Sequence, residues 1–354
     1  MIRKLIVIAS LILAVAGYST AADATVRIMT QNMDQGTGEG YIIAAASGAI
    51  PGFTLADAVD LTFAELNAGH LQQRAALLAG KIAEQKPDIV ALQEVTLWRI
   101  GPTPGTALVP VYDQLTFLLS ELLKRGALYS AVAVNTVDDV ALPGNKIGAL
   151  RLTSRNVLLA RLDWQSPALY FTDVRSHIFN NALTISGLQV QSGWISATVH
   201  KGDHQFFLIA THLQSAVPNF NLAVTVQVAQ AGELLSALQY VTGPVVLCGD
   251  FNSDANDNPG VLDFTPTADN IKAAGYTEVW GALKPGNPGN TWPLYIDDQI
   301  PISFPATTPF ERIDLFFERG LLALQIDKVL APGSPGFTPP FGSDHAGVIA
   351  VFRF

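Results

Sequence analysis

Six short segments of this sequence set residues that can bind a metal ion or a phosphate group against runs of apolar residues. They are Gln31-Asn32, Gln93-Glu94, Thr211-His212-Leu213, Gly249-Asp250-Phe251-Asn252, Arg312-Ile313-Asp314 and Ser343-Asp344-His345. A buried carboxylate or imidazole without a partner is costly, so apolar strands that repeatedly end in such groups point to one shared site. Carboxylate and amide oxygens suit a hard divalent cation, which takes few protein ligands and keeps several waters. Imidazoles suit proton transfer and charge stabilisation near neutral pH. Asp250 and Asn252 stand two positions apart, so on an extended strand they share a face. Asp254 and Asp257 fall instead in a polar run before Pro259 and read as turn and capping residues. His70, His177, His200 and His204 lack any comparable context and read as surface or structural residues.

The elements that must position these groups follow from apolar spacing. Residues 26–29 alternate and lead to Asn32, which makes a first strand. Leu71, Leu77, Leu78 and Ile82 recur at helical spacing ahead of Pro87, and residues 89–92 then form a strand that presents Glu94. Residues 112–124 and 224–238 read as amphipathic helices. Strands are expected at 130–134, 157–162, 194–199, 206–209, 245–247, 313–317 and 348–352. Helices interspersed with many short strands over the whole length predict a layered α/β fold. Residues 36–69 form a long Gly- and Ala-rich insertion with a short helix at 56–66, and residues 281–309 form a second long loop. Both are placed at the mouth of the site, as loops of this length often are.

Bulk properties limit the setting. Arg3 and Lys4 precede an apolar run over residues 5–16 and small residues at 19–22, the pattern of a secretory leader cleaved near Ala22 or Ala24. About a dozen apolar residues are too few to span a bilayer, which takes roughly 20. The expected organisation is therefore a leader over 1–22 and one domain over 25–354, secreted or periplasmic. The single cysteine, Cys248, allows no intramolecular disulfide and falls in an apolar strand, where it reads as a core residue. The net charge is −9, with 21 Lys and Arg against 30 Asp and Glu. No broad basic footprint for duplex nucleic acid is present.

Taken in order, these motifs resemble the endonuclease/exonuclease/phosphatase superfamily, which includes DNase I-like nucleases, neutral sphingomyelinases and inositol-polyphosphate phosphatases. The resemblance rests on Asn32, the run Pro87-Asp88-Ile89-Val90-Ala91-Leu92-Gln93-Glu94, and the T-H-L, G-D-F-N and S-D-H motifs at Thr211, Gly249 and Ser343. It implies a four-layer α/β/β/α sandwich with two packed mixed sheets. It also implies Glu94 as the main ligand of Mg²⁺ (Mn²⁺ or Ca²⁺ being alternatives), Asn32 beside the same ion, and Asp344 near it. Asp250 would orient or deprotonate the attacking water, and Asn252 would donate to the phosphate. His345, oriented by Asp314, and His212 would form a symmetric clamp on the phosphate. Many members carry an Arg just ahead of the strand at residues 193–196, where this chain has Ser192. Arg175 or Arg155 is the expected substitute, and Asn156 is a further substrate-binding candidate.

The expected activity is hydrolysis of a phosphodiester or phosphomonoester by a metal-assisted water. The substrate is either nucleic acid or a phospholipid or sphingomyelin head group. Tyr41-Ile42-Ile43 and Pro301-Ile302-Ser303-Phe304 are apolar segments of the two long loops suited to transient membrane-surface contact. A monomer with no obligate protein partner is expected. The alternative, a binding module that keeps the fold without the chemistry, would have no use for Asn32, Glu94, Asp250, Asn252, Asp314 and His345 together.

Overall fold

The computed structural model describes residues 25–38, 40–162, 169–185, 187–215, 221–261, 264–294, 308–329 and 342–354. The expected leader at 1–22 and the apolar segment at 301–304 lie outside the described residues. The chain runs β1 (Thr25–Asn32), α1 (Gly40–Ser47), α2 (Leu55–Ala68), α3 (Leu71–Gln85), β2 (Ile89–Gln93), β3 (Leu97–Gly101), β4 (Val109–Asp113), α4 (Gln114–Lys124), β5 (Tyr129–Pro143), β6 (Ala149–Arg161), β7 (Leu169–Ile178), β8 (Leu183–Ile185) and β9 (Leu188–Val190). It continues with β10 (Gly193–Lys201), β11 (His204–His212), α5 (Asn221–Leu238), β12 (Val245–Asp250), α6 (Thr267–Ala273), β13 (Thr277–Glu278), α7 (Val279–Leu283), β14 (Asp314–Arg319), β15 (Leu322–Val329) and β16 (Gly347–Arg353). Among the described residues no helix is long and apolar enough to cross a membrane.

Two mixed sheets dominate. One has the order β15-β16-β1-β2-β6-β3-β4 with β5 also on β6, and the other the order β13-β14-β12-β11-β10-β7. Strands buried on both faces read as continuous apolar runs, and Ile89–Gln93 and Val245–Asp250 are buried at every position. Their side chains alternate between two cores. Ile28, Ile89, Ala91 and Leu158 of the first sheet meet Ile195, Leu208, Val246, Cys248 and Phe316 of the second in an apolar layer between the sheets. On the outer face of the first sheet, Val90, Leu92 and Leu159 pack on Leu78 and Ile82 of α3 and Leu118 and Leu122 of α4. On the outer face of the second, Ile209, Leu247 and Phe317 pack on Leu234 and Leu238 of α5 and Ile271 of α6. The result is the four-layer α/β/β/α sandwich.

Local signals explain the helix ends. Thr54 and Asp57 cap α2 reciprocally, each side chain taking the other's backbone N–H. Helix α3 stops at Lys86, which turns left-handed one residue before Pro87. The insertion holds two helices where one short helix was expected. α1 escapes a periodicity test because its Tyr-Ile-Ile-Ala-Ala-Ala run is apolar on all sides and none of its residues is fully buried.

Candidate active site

The motifs converge on one rim of the sandwich. β1 and β2 run parallel with Asn32 opposite Gln93, so Asn32 and Glu94 leave the first sheet side by side. β11 and β12 run parallel with His212 opposite Asp250, and β14 runs antiparallel with Asp314 opposite Asp250. The expectation that every motif ends a strand needs correction. Asp314 opens β14, and Asp344 and His345 precede β16. Because β14 and β16 run antiparallel to β12 and β1, their beginnings reach the same rim where the others end.

Two backbone features fix the positions. At Gly249 φ is +148°, and a Cβ there would sit 2.0 Å from the carbonyl oxygen of Thr211. Only glycine lets β11 and β12 run this close just before they deliver His212 and Asp250. Glu94 and Asn252 both adopt left-handed backbone, with φ of 54° and 48°. Asparagine tolerates that region, whereas for glutamate it is uncommon and is held against a cost by its surroundings.

The side chains meet around one carboxylate oxygen. Asp250 Oδ2 accepts from Asn32 Nδ2 at 3.0 Å and lies 3.6 Å from His212 Nε2 and 3.8 Å from His345 Nε2. Asp250 Oδ1 accepts the backbone N–H of Asn252 at 2.9 Å, and Asn252 Nδ2 donates to the Leu213 carbonyl at 2.9 Å, which leaves its second amide hydrogen available. Asn32 Nδ2 also donates to Glu94 Oε1 at 3.0 Å, and Glu94 Oε2 accepts the backbone N–H of Gln35 at 2.8 Å. His345 Nδ1 bonds Asp314 Oδ2 at 2.9 Å, which aims Nε2 towards Asp250 and Asp344.

Electrostatics follow from this crowding. Burial pushes the Asp250 carboxyl upward, and Asp314 adds to the rise against the opposing pull of the histidines. Asp344 is raised as well, by burial and then by the like charge of Glu94, although His345 opposes the shift. Burial alone would lower the pKa of His345, but Asp314, Asp344 and Asp250 together hold it well above the ordinary imidazole value. Ligand atoms of Asp250, Asp314 and His345 lie within 4.8 Å of one another. Asp314 and His345 already satisfy each other, however, so that trio reads as a hydrogen-bonded relay. Glu94 and Asp344 supply the carboxylate oxygens that a hard cation prefers, and their mutual repulsion is what a cation would relieve. Asn32, expected beside the same ion, turns its Nδ2 to Glu94 and Asp250 while its Oδ1 accepts the backbone N–H of Asp34 at 2.8 Å, so here it positions the carboxylates. The two carboxylates fit a divalent metal ion.

The structure does not bring two expected residues into this cluster. Asn156 is buried, and its Nδ2 donates to the Gly193 carbonyl at 3.0 Å, linking β6 to the start of β10. Arg175 lies exposed on the edge strand β7 opposite Ser196, and no hydrogen bond or ion pair joins it to the cluster. Arg155 does not substitute for the Arg absent at Ser192 either. Its guanidinium holds the carbonyls of Val95 and Thr96 and pairs with Asp113, bracing the segment that follows Glu94. Asp254 is a turn residue, with Oδ1 accepting from Asn256 N and Arg312 N. His177 stacks on Trp194.

Sequence reasoning missed several supporting residues. Arg74 pairs with Asp34 and donates to the carbonyls of Met33 and Gly342, tying the segment after Asn32 to the segment before His345. Its signal was a charge on the stripe formed by Leu71, Ala75 and Leu78, where helical spacing predicts an apolar residue. Trp292 donates from Nε1 to Asp344 Oδ2 at 3.1 Å, and Thr291 Oγ1 accepts from the backbone of Ile313 and Asp314. The described part of the second long loop thus forms one wall of the site.

Comparison with solved structures returns the same architecture at low identity. An endonuclease/exonuclease/phosphatase from Beutenbergia cavernae DSM 12333 superposes with a TM-score of 0.56 and 21% identity, covering 93% of this chain and 72% of that one. D. rerio TDP2, complexed with single strand DNA product, gives 0.55 and 16%, covering 94% and 100%. A family protein from Bacteroides thetaiotaomicron gives 0.53 and 15%, covering 94% and 98%. Among curated proteins, none matches in sequence. The sequence pattern of the Endonuclease/Exonuclease/phosphatase family matches residues 63–345. This chain belongs to that family, whose members are divalent-metal-dependent phosphoric ester hydrolases.

Proposed function

We propose that the protein hydrolyses a phosphodiester by in-line attack of a water molecule, with Mg²⁺ as its working metal. The observation that carries this reading is the convergence on Asp250 Oδ2, a buried carboxylate oxygen faced by an amide and two imidazoles. Burial raises the proton affinity of Asp250, which suits it to take a proton from the attacking water. His345, held cationic by three carboxylates and oriented by Asp314, offers Nε2 to a phosphoryl oxygen on which charge builds up. His212 faces the same space from β11 and can serve the leaving oxygen, while the free amide hydrogen of Asn252 can hold a second phosphoryl oxygen. Glu94, held by Asn32 Nδ2, and Asp344 would hold the ion, which would supply Lewis acidity at the phosphoryl group and offset charge on the departing oxygen.

The substrate is either nucleic acid or a phospholipid-type ester. The DNA product bound to D. rerio TDP2 supports the first, and the net charge of −9 weighs against an extended polyanion. Export rests on the leader pattern of residues 1–22 and is tested by the N-terminal sequence of protein recovered outside the producing cell. The activity is tested with plasmid DNA, RNA, sphingomyelin and phosphatidylcholine, each with Mg²⁺ and with EDTA. Cleavage that EDTA abolishes and Glu94→Ala lacks supports the reading, and cleavage indifferent to both would overturn it.

A further inference from the structure

Helix α5 buries Ala223, Val226, Ala231, Leu234 and Leu238 against the body of the protein, and two glutamines, Gln227 and Gln230, stand in the same stripe with no exposed surface. A polar side chain at such a position is costly unless its polar atoms find partners. Gln227 meets that condition. Its Oε1 accepts the Thr267 hydroxyl at 2.9 Å, and its Nε2 donates to the carbonyls of Gln214 at 2.9 Å and Asn252 at 2.6 Å. Two carbonyls can only accept, so the nitrogen end of the amide must face them.

A leucine would fill the stripe equally well. What the glutamine adds is a bridge between two segments of the rim. Gln214 lies two residues after His212 and Asn252 two residues after Asp250, so one side chain ties together the turns that leave β11 and β12. Asn252 has left-handed backbone, with φ of 48°. Three bonds hold it there. Its N–H donates to Asp250 Oδ1, its Nδ2 donates to the Leu213 carbonyl, and its carbonyl accepts from Gln227. Where the second Nδ2 hydrogen points follows from how this turn is held. Without Gln227 the carbonyl loses its partner, and the turn is free to rotate towards another donor.

We infer that Gln227 is a positioning residue for phosphate recognition: it fixes the turn at Asn252 so that the remaining amide hydrogen of Asn252 is presented to a phosphoryl oxygen. The assignment rests on the phosphoesterase reading above, in which Asn252 holds that oxygen, and adds the residue through which α5 controls it.

The test is a double-mutant cycle on the affinity for inorganic phosphate, titrated calorimetrically into the purified protein with Mg²⁺ present. Asn252→Ala weakens binding about tenfold, and Gln227→Met, which keeps the length of the side chain without its donors, about fivefold. Because Gln227 acts through Asn252, the double variant matches Asn252→Ala within about twofold. Gln230→Met is the control for stability alone. Gln230 is equally buried and holds the Gln214 N–H and the Asn181 carbonyl, with no bond to Asn252. It lowers the melting temperature as Gln227→Met does but changes phosphate affinity less than about twofold. If Gln227→Met fails to fold, Thr267→Val takes its place in the cycle. That change removes only the hydroxyl that steadies the amide, and it weakens phosphate about threefold with the same dependence on Asn252. Losses that multiply in the double variant, unchanged affinity in Gln227→Met, or an equal loss in Gln230→Met overturns the assignment. Binding is read without turnover, so the two readings fail separately. A coupled cycle with no ester hydrolysed sinks the phosphoesterase, and metal-dependent hydrolysis with an additive cycle sinks the role of Gln227.

Discussion

The two histidines that face Asp250 come from opposite sides of the site, and the two sides are built differently. On the β14–β16 side His345 is 6% exposed at its side chain and Asp314 is fully enclosed at 0%, and the two are hydrogen bonded. On the β11 side His212 is 19% exposed, and its nearest carboxylates, at 3.6 and 3.8 Å, stand beyond hydrogen-bond reach. The symmetry implied by the family resemblance is therefore absent, since the two imidazoles differ in burial and in partners. A buried imidazole with a carboxylate behind it is fixed in orientation and charge, which suits electrostatic stabilisation. An imidazole that stands partly in solvent without such a partner can exchange a proton, which suits acid–base work.

Substitutions can break or sharpen this contrast. The largest effect is expected from Asp314→Ala, which strands a buried His345. Removing one partner of a buried pair costs about 3–5 kcal/mol of stability, and loss of the orienting carboxylate lowers kcat on the order of 10⁴-fold. Denaturant melts and steady-state kinetics read both. Next comes His345→Gln, where losing a preorganised donor costs about 10²- to 10³-fold in kcat. His212→Gln should cost about 10²-fold on a substrate with a poor leaving group and far less on a p-nitrophenyl ester, whose leaving oxygen needs no proton. If His345→Gln shows the same leaving-group dependence, the division of labour drawn here is wrong. The smallest effects come from outside the cluster. Arg175→Ala should change kcat/KM by less than about twofold, as for most exposed substitutions. Cys248, two residues inside Asp250 on β12, is buried and its thiol pKa is pushed far up by burial. Ellman's reagent should find it unreactive until the protein unfolds, and rapid labelling of folded protein would show that the polar rim reaches deeper than the structure indicates.

How much of this was legible in sequence depends on where the signal lives. The strands that carry Asn32, Glu94 and Asp250 are short, apolar and end at their functional residues, so pattern and chemistry coincide there. The long hairpin of β5 and β6 was read only as two fragments. Register shifts at Ala131/Ala133 and Thr136/Asp138 interrupt the alternation that pattern reading needs. Arg175 is the expected substitute for the Arg that Ser192 replaces, but β7 reaches the rim near Ile178, opposite Gly193, and leaves Arg175 opposite Ser196 on an exposed edge. Asn156, expected to bind substrate, instead donates its Nδ2 to the backbone of Gly193, a contact 37 residues away that no local pattern announces. Trp292 has no local signal because its contact to Asp344 lies 52 residues away along the chain, and Arg74 shows only as a charge on an apolar stripe, its partner at Gly342 being 268 residues away.

The glycine at 249 bears on how this scaffold can be altered. Since a Cβ there would fall 2.0 Å from the Thr211 carbonyl oxygen, the separation of His212 from Asp250 is a property of two backbones in contact, with no side chain between them to trim or enlarge. Selection for bulkier or smaller substrates thus has little purchase on the reacting centre itself. It can act only where side chains, and not two backbones in contact, set the spacing.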